Sequence, residues 1–194
     1  MQSKRKNLYE IFARDFVAKG LAYPCWMTPE EIDAVRKQQQ ENKQIPGIYG
    51  SASKWRDASF DEQKKMIETG TPCVIRLRSH GDLTRRVTVK DLIRGDVEIQ
   101  DNFVDVVLIK AKDGLPTYHF AHLVDDYLMG TTHVIRADEW FASLPLHLQL
   151  FQTLGVKPPH YAHISPLLKL DDGKKRKLSK RKDPESDIQR FFAQ

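Results

Sequence analysis

Basic side chains near the end of the sequence are of a type that can bind phosphate groups. Lys177-Leu-Ser-Lys-Arg181 holds two lysines in a basic stretch that follows Asp and Gly residues. Ammonium groups on long flexible stems can reach a phosphate and stabilise negative charge that develops on it. Five residues of this composition also fit a solvated basic loop, which is the commoner case. The segment is predicted to be a flexible loop, and both interpretations stay open at this point.

The acidic and histidine residues do not form a recognisable metal motif. The seven histidines are scattered, without a spacing such as His-Glu-x-x-His. Asp125 and Asp126 are adjacent, and neighbouring residues on a helix point about 100° apart, so the two carboxylates do not easily share one cation. We interpret both as structural or capping groups, and we predict no metal site built from histidine.

Composition limits the class of protein. The chain has 194 residues, of which 40% are hydrophobic and 29% are charged, so it can bury a core and is not a disordered tail. Two cysteines exclude a disulfide scaffold and a four-cysteine zinc module. No apolar run approaches the ~20 residues that span a bilayer. The basic N-terminus is not followed by an apolar signal core, so we expect a cytoplasmic protein without membrane contact.

Helix signals dominate the first third of the chain. Apolar residues at helical spacing predict a helix over Asn7 to Lys19. Thr28-Pro-Glu-Glu31 and Ser59-Phe-Asp-Glu62 are capping boxes, which predict helices to about Gln40 and to Gly70.

Strand signals follow, and then helices and strands alternate. Cys73 to Arg78 and Arg85 to Val89 have strand composition, with a polar turn between them. Later segments predict a strand at Asp105 to Ile109, a helix from Pro116 to Met129, a short buried strand at Thr132 to Ile135 and a helix capped by Ser143. This order predicts an α+β lobe up to about residue 110 and an α/β segment with a parallel sheet after it.

Three stretches together resemble the class I glutamyl-tRNA synthetases. They are Asp113-Gly-Leu-Pro-Thr-Tyr-His-Phe-Ala-His-Leu-Val-Asp-Asp-Tyr-Leu-Met-Gly130, Thr132-His-Val-Ile-Arg-Ala-Asp-Glu-Trp140 and Lys177-Leu-Ser-Lys-Arg181, the last being the KMSKS-type signature. The resemblance covers nearly the whole chain, including Ala22-Tyr-Pro-Cys25 and His163-Ile-Ser-Pro166.

The resemblance implies an α/β fold: the second half of a class I synthetase nucleotide-binding fold, with an α+β insertion that binds the tRNA acceptor end. The expected divisions are a catalytic-domain helix in 1–22, the acceptor-stem-binding insertion in 23–110, and the second half of the catalytic domain with the KMSKS-type loop in 111–194. The chain is expected to lack the half that carries the HIGH motif and the anticodon-binding region.

The same resemblance implies roles for individual residues. Lys177 and Lys180 are the implied catalytic residues. Lys180, Ser179, Glu139 and Trp140 are the implied ATP-binding residues. Tyr118, Arg136 and His122 are the implied glutamate-binding residues, with His122 at a position where the family often has asparagine. Without the resemblance, Tyr118 and Trp140 would be packing residues and Arg136 a surface ion-pair partner.

Zinc is not expected, although some family members hold it in the insertion. Here Cys25-Trp-Met27, Tyr49 and Ser53 or Trp55 occupy the corresponding positions, so one thiolate of three remains, which is too few for a tetrahedral site. The expected small molecules are ATP, as a substrate with Mg²⁺, and glutamate.

The implied function is ATP-dependent ligation of glutamate to tRNA, with this chain as a partial catalytic region. The tRNA acceptor stem and a separate N-terminal half are the expected macromolecular partners. The alternatives are a non-catalytic fragment that binds the tRNA acceptor end, or one half of a split synthetase. A truncated paralogue that glutamylates a modified tRNA base fits less well, because such proteins keep the HIGH-motif half.

Overall fold

The computed structural model describes residues 2–171, 173–178 and 182–183. The α-helices in that part of the chain are α1 (Lys6–Ala18), α2 (Pro29–Glu41), α3 (Phe60–Glu68), α4 (Tyr118–Met129) and α5 (Leu144–Leu154). The strands are β1 (Ala22–Cys25), β2 (Val74–Leu77), β3 (Arg86–Asp91), β4 (Gly95–Gln100), β5 (Val107–Ile109), β6 (His133–Ala137), β7 (His160–Ile164), β8 (Leu168–Asp171) and β9 (Lys174–Lys177). Short 3₁₀ helices span Gln2–Arg5, Gly50–Ala52 and Asp138–Ser143.

The larger core lies between three helices and a small antiparallel sheet. Strand β2 is the middle of this sheet and pairs antiparallel with β1 and β5. Helix α1 buries Tyr9, Ala13 and Phe16, which recur every three to four residues and therefore share one face. This face packs with buried residues of α4 and α5, including Phe120 and Leu150. The core fixes where α4 begins, and the first residue of α4 is Tyr118, one of the candidate glutamate-binding residues.

A second sheet, with the order β4-β3-β7-β6, carries the rest of the site. Strands β3 and β4 form an antiparallel hairpin, while β7 runs parallel to both β3 and β6. In this register Arg136 of β6 lies opposite His163 of β7, and Asp91 of β3 lies opposite Tyr161 of β7. The sheet thus brings together residues that are far apart in sequence.

The structure confirms the main helix predictions. Helix α1 lies within one residue of the predicted start and end. Both capping boxes form: the Thr28 hydroxyl accepts the Glu31 backbone N–H and the Ser59 hydroxyl accepts that of Glu62. Helices α4 and α5 end at Gly130 and Gly155, which adopt the left-handed conformation that favours glycine. The helix ends could be predicted because their signals are local.

Several strand predictions were wrong about which sheet a strand joins or how deeply it is buried. Strands β2 and β3 have the predicted composition but lie in different sheets: β2 pairs with β1 and β5, and β3 pairs with β4 and β7. The strand predicted as buried at Thr132 to Ile135 is the edge strand β6, and Ile135 is 69% exposed. Strands β1, β4, β7, β8 and β9 were not predicted.

Two local predictions near the site also need correction. The Ser143 side chain does not cap α5; its hydroxyl donates to the Trp140 carbonyl at 2.7 Å, within the 3₁₀ helix that precedes α5. Lys177 does not lie in a loop, since it is the last residue of β9 and pairs with Leu168 of β8. Within the described residues, no helix is both long and apolar enough to cross a bilayer.

Candidate active site

Tyr118 lies at the exposed edge of the candidate site. Its position is fixed because hydrogen bonds to β5 determine where α4 begins. The Thr117 hydroxyl donates to the Val107 carbonyl at 2.7 Å, and the Thr117 N–H donates to the Leu108 carbonyl at 2.9 Å. Helix α4 begins at the next residue, so Tyr118 projects from its first turn with 45% of its surface exposed. Its ring centroid lies 4.6 Å from that of Trp140, which makes an aromatic wall.

Arg136 is held by neutral acceptors. Its Nε donates to His163 Nε2 at 2.8 Å, one terminal nitrogen contacts His147 Nδ1 at 2.9 Å, and the other donates to the Trp140 carbonyl at 3.2 Å. The guanidinium carbon also lies 5.1 Å from the centre of the Tyr161 ring. A guanidinium has five N–H donors, so two remain beyond these three acceptors among the described residues. Two N–H groups on one cation suit a carboxylate.

The histidines around Arg136 have a fixed direction of hydrogen bonding. Because Arg136 donates to Nδ1 of His147, the proton of this neutral ring is on Nε2, which donates to His119 Nδ1 at 2.8 Å. Burial, together with the nearby His122 and Arg136 charges, lowers the pKa of His147 far below its usual value. Burial also lowers the pKa of His119. These rings therefore accept and relay hydrogen bonds without adding positive charge.

His122 is fully engaged with the protein. Its Nδ1 lies 2.7 Å from Asp126 Oδ2 and its Nε2 lies 2.9 Å from the Tyr161 hydroxyl. Although burial acts against it, the hydrogen bond from His122 holds the pKa of Asp126 below its usual value. Both ring nitrogens thus lie against protein groups, so His122 lines the site beside Tyr118 with its polar atoms turned to the protein.

The adjacent carboxylates Asp125 and Asp126 serve different structural contacts, as their positions on a helix predict. Asp125 accepts two hydrogen bonds from the Arg5 guanidinium, at 3.1 and 2.6 Å, and one from the Tyr9 hydroxyl at 2.8 Å. These bonds tie the start of the described chain to α4. Asp126 instead faces His122.

Two residues implied in ATP chemistry form an ion pair. Lys177 Nζ lies 2.7 Å from Glu139 Oε2, which joins the end of β9 to the 3₁₀ helix that carries Trp140. Both side chains are more than half exposed. Ser179 and Lys180, also predicted for ATP binding, lie outside the described residues.

The position that corresponds to a zinc site is filled by aromatic packing. Cys25 is buried with its Sγ 3.9 Å from the Ser53 hydroxyl, and the Trp26 and Trp55 rings lie 4.8 Å apart. In the described segments, 2–171, 173–178 and 182–183, no three His, Cys, Asp or Glu side chains are grouped so that they could hold a metal ion. The absence of zinc stays a prediction.

Sequence reasoning missed the residues that hold Arg136. His147, His163, Asp91 and Tyr161 were not proposed, because no spacing marks them. They come from three elements, and the hydrogen-bonded pairs are separated by 11 to 72 residues along the chain. The pairing of β7 with β6 and β3 brings His163, Tyr161 and Asp91 together, and α5 adds His147.

The mixed sheet thus holds Arg136 beside the aromatic wall of Tyr118 and Trp140, and the ion pair of Lys177 with Glu139 lies one residue from that wall. A family model described as tRNA synthetases class I (E and Q), catalytic domain, matches residues 1–192. The chain belongs to this family.

Two similar curated proteins are both glutamate–tRNA ligases. Glutamate–tRNA ligase of Clostridium perfringens (strain 13 / Type A) is 54% identical over 187 residues, which make up 96% of this chain and 34% of that protein. Glutamate–tRNA ligase of Sorangium cellulosum (strain So ce56) is 47% identical over an alignment of 202 positions, which covers 97% of this chain and 35% of that protein. The chain thus spans about a third of the length of the curated relatives it matches.

Solved structures agree with the predicted fold class. The crystal structure of a glutamate–tRNA ligase from Elizabethkingia meningosepticum CCUG26117 in complex with its amino acid is similar with a TM-score of 0.79 and 35% identity. That match covers 96% of this chain and 37% of the other. The synthetase of Elizabethkingia anophelis matches with a TM-score of 0.77 at 35% identity, over 96% of this chain and 38% of the other. The predicted α/β synthetase fold is confirmed.

Proposed function

We propose that this chain supplies the glutamate-binding part of the catalytic region of a glutamate–tRNA ligase. The observation that carries the proposal is Arg136, whose guanidinium is oriented by two neutral histidines and a carbonyl beside the exposed ring of Tyr118. Because neutral groups hold it, its charge is available to a carboxylate. Glutamate has a carboxylate of the right charge at each end.

The reaction has two steps. The α-carboxylate of glutamate attacks the α-phosphate of ATP, which gives glutamyl-adenylate and releases pyrophosphate. A hydroxyl of the terminal adenosine of tRNA then accepts the glutamyl group and AMP leaves. Arg136 and Tyr118 bind and orient glutamate, and His122 supports the wall of that site through Tyr161.

ATP is proposed to bind on the side of Glu139 and Trp140. Lys177 and Lys180 would stabilise charge that moves onto the leaving pyrophosphate, since positioned ammonium groups do so without reorganisation. Lys177 would exchange its contact with Glu139 for a phosphate, which costs little because an exposed ion pair is worth about 0.2–1 kcal/mol. Ser179 is the further proposed ATP contact. Mg²⁺ would arrive with the triphosphate, because it binds substrate phosphates and few protein carboxylates.

The tRNA acceptor stem is proposed to bind residues 23–110, with 1–22 and 111–194 belonging to the catalytic domain. The contacts would be mainly to phosphate and sugar, so binding would weaken as salt rises. The partners are tRNA, glutamate and a separate or linked HIGH-motif half, and the proposed location is the cytoplasm.

The test is ATP–pyrophosphate exchange with glutamate and tRNA, on this chain alone and after addition of a separately expressed HIGH-motif half. Exchange that requires both pieces supports the proposal. Acceptor-stem binding without exchange in either tube favours the second candidate, a non-catalytic tRNA-binding fragment. That candidate rests on the short span of the chain relative to its relatives.

A further inference from the structure

Asp91 is a fully buried carboxylate that reaches the proposed glutamate site through one histidine. It is the last residue of β3 and only 2% exposed. Its Oδ1 accepts the backbone N–H groups of Ile93 and Arg94, each at 3.0 Å, in the turn of the β3–β4 hairpin. Its Oδ2 accepts the backbone N–H of His163 at 3.1 Å and lies 2.6 Å from Nδ1 of the same ring.

The carboxylate determines which nitrogen of His163 carries the proton. Burial opposes ionisation, but the hydrogen bonds from His163 and from the turn hold the pKa of Asp91 below its usual value. An ionised carboxylate only accepts, so His163 Nδ1 must donate to it. The Nε2 of the neutral ring then has a lone pair, and it faces Arg136 Nε at 2.8 Å. The bonds run in one direction, from Arg136 to His163 to Asp91.

We infer that Asp91 and His163 are positioning residues for Arg136: the carboxylate fixes the tautomer of His163 whose Nε2 anchors Arg136 Nε. The two terminal nitrogens of the guanidinium are thereby kept at the site wall formed by Tyr118 and Trp140. The inference extends the proposed function, which assigns Arg136 to glutamate, but the hydrogen-bond chain itself does not depend on that assignment.

The substitution Asp91→Asn tests this chain because the hairpin turn dictates how an asparagine would sit. Its carbonyl oxygen must take the Oδ1 position to keep accepting from Ile93 and Arg94. Its amide NH₂ then replaces Oδ2 and points at His163, where it donates to Nδ1. The backbone N–H of His163 loses its acceptor at 3.1 Å and keeps only the oxygen in the Oδ1 position, at 3.4 Å. The ring proton moves to Nε2 and confronts the Arg136 N–H, so the anchor is lost. Replacing an orienting aspartate by asparagine reverses a histidine tautomer in this way elsewhere.

The experiment is nitrogen NMR of the full 194-residue chain with ¹⁵N-labelled histidine and arginine. In the unsubstituted protein we expect His163 to be protonated on Nδ1 and bare on Nε2. In Asp91→Asn we expect the reverse, with exchange of the Arg136 Nε proton faster by about tenfold or more, as loss of one hydrogen bond to a charged group implies.

The matched control is Asp101→Asn, which changes another buried carboxylate on the loop after β4. Asp101 pairs with Arg85 and has no contact with His163, so the tautomer of His163 should stay as it is. Protonation of His163 on Nε2 in the unsubstituted chain overturns the inference, even if Asp91→Asn does not fold. An unchanged tautomer or unchanged Arg136 exchange in folded Asp91→Asn also overturns it.

The KM for glutamate tests the role of Arg136 in binding, independently of the tautomer of His163. Where the mixture with the HIGH-motif half is active, Asp91→Asn should raise the KM for glutamate and leave the KM for ATP unchanged. A chain with the expected tautomer but no glutamate-dependent exchange refutes the proposed function and leaves the positioning role intact. An unchanged glutamate KM despite a reversed tautomer and faster Arg136 exchange refutes the assignment of Arg136 to glutamate and leaves the positioning role intact.

Discussion

At the scale of single residues, the unusual feature is an arginine surrounded by neutral hydrogen-bond acceptors. Carboxylates are the common partners of arginine, and they would cancel its charge before any ligand arrived. Here His147, His163 and the Trp140 carbonyl take three N–H groups and leave the charge in place. The low pKa of His147 matters for the same reason, because a second cation would repel Arg136 and remove the acceptor.

Arg136→Lys tests the geometry rather than the charge. Lysine keeps the positive charge but cannot donate to three fixed acceptors and a carboxylate together. We expect the KM for glutamate in the reconstituted exchange assay to rise by about 10- to 100-fold, the range for loss of charged hydrogen bonds. Arg85→Lys, which alters an arginine paired with Asp101 outside the site, is the control. An equal rise in both variants would show that Arg136 has no special part in binding glutamate.

The buried histidine also predicts a pH dependence of stability. The pKa of His147 is lowered in the folded chain, so below an unfolded pKa of about 6.5 the unfolded chain binds a proton that the folded chain does not. Stability should therefore fall as pH drops from about 6.5 to about 5, by up to about 1.4 kcal/mol per pH unit for this group. Asp91 and Asp126 do not contribute in this window, because carboxylates titrate below it.

Urea unfolding at several pH values measures this slope. His147→Asn keeps an acceptor for Arg136 but does not titrate, so the slope should become smaller by up to about 1.4 kcal/mol per pH unit. His119, whose pKa is also lowered by burial, should contribute to the slope that is left. His80→Gln alters an exposed histidine and should retain the full slope. The same slope in His147→Asn as in the unsubstituted chain would contradict a neutral His147.

A sequence motif was what singled out each candidate site residue, and the binding role of each stays a prediction. Tyr118, Arg136 and Trp140 came from family-like stretches, and the structure brings these three together. Asp91 and His163 could not be predicted, since nothing local distinguishes a buried tautomer-setting pair from other polar residues. Their contact depends on the parallel pairing of β3 with β7.

At the scale of elements, the same contrast separates helices from strands. A capping box or a terminal glycine acts within a few residues, so helix ends follow from sequence. Strand pairing depends on distant partners, which is why β2 and β3 have strand composition yet lie in different sheets. The segment between them has to cross from one sheet to the other, and it does so through close backbone contact.

Gly81 is the residue that permits this crossing. A Cβ atom at this position would lie 1.8 Å from the Asn102 carbonyl oxygen, which also accepts hydrogen bonds from Ser79 and Gln149. Gly81→Ala should therefore lower the free energy of unfolding by about 1–3 kcal/mol, as overpacking does.

Gly47→Ala is the matched control in urea unfolding. A Cβ there would have its nearest neighbours at 3.4 Å or more, among side-chain atoms of Tyr49 and Val104. This variant should stay within about 0.5 kcal/mol of the unsubstituted chain. Equal stability of the two alanine variants would mean that the segment after β2 can shift without cost.

At the scale of the whole molecule, the proposed insertion and the catalytic part share structure rather than meeting at a simple boundary. Strand β3 lies before residue 110 and β7 lies after it, yet they pair in one sheet. Asn102 and Gln149 form two further hydrogen bonds across the same division, at 2.7 and 2.9 Å. If the acceptor-binding part moves, β3 would therefore have to stay in place, because β3 carries Asp91, which contacts His163 in the proposed glutamate site.

Asp105 is the main polar anchor of the part of the proposed insertion that lies outside β3 and β4. Its buried carboxylate accepts from the Tyr23 hydroxyl at 2.9 Å and from the Ser79 N–H at 2.9 Å, and it forms an ion pair with Arg56. Its own carbonyl accepts from Arg76 at 3.0 Å. These contacts join β1, β2 and the loop before α3 to the start of β5.

Asp105→Ala should cost about 3–5 kcal/mol of unfolding free energy, because it leaves the largely buried Arg56 charge without its partner. Asp105→Asn should cost less, since the amide oxygen can still accept from Arg56 and Ser79 while the Tyr23 hydroxyl turns to accept from the NH₂. Asp96→Ala, which removes an exposed carboxylate from β4, should stay within about 0.5 kcal/mol. Urea unfolding of the three variants gives the order; if Asp105→Ala were as stable as Asp96→Ala, the insertion would be held by its apolar contacts and the buried ion pair would be dispensable.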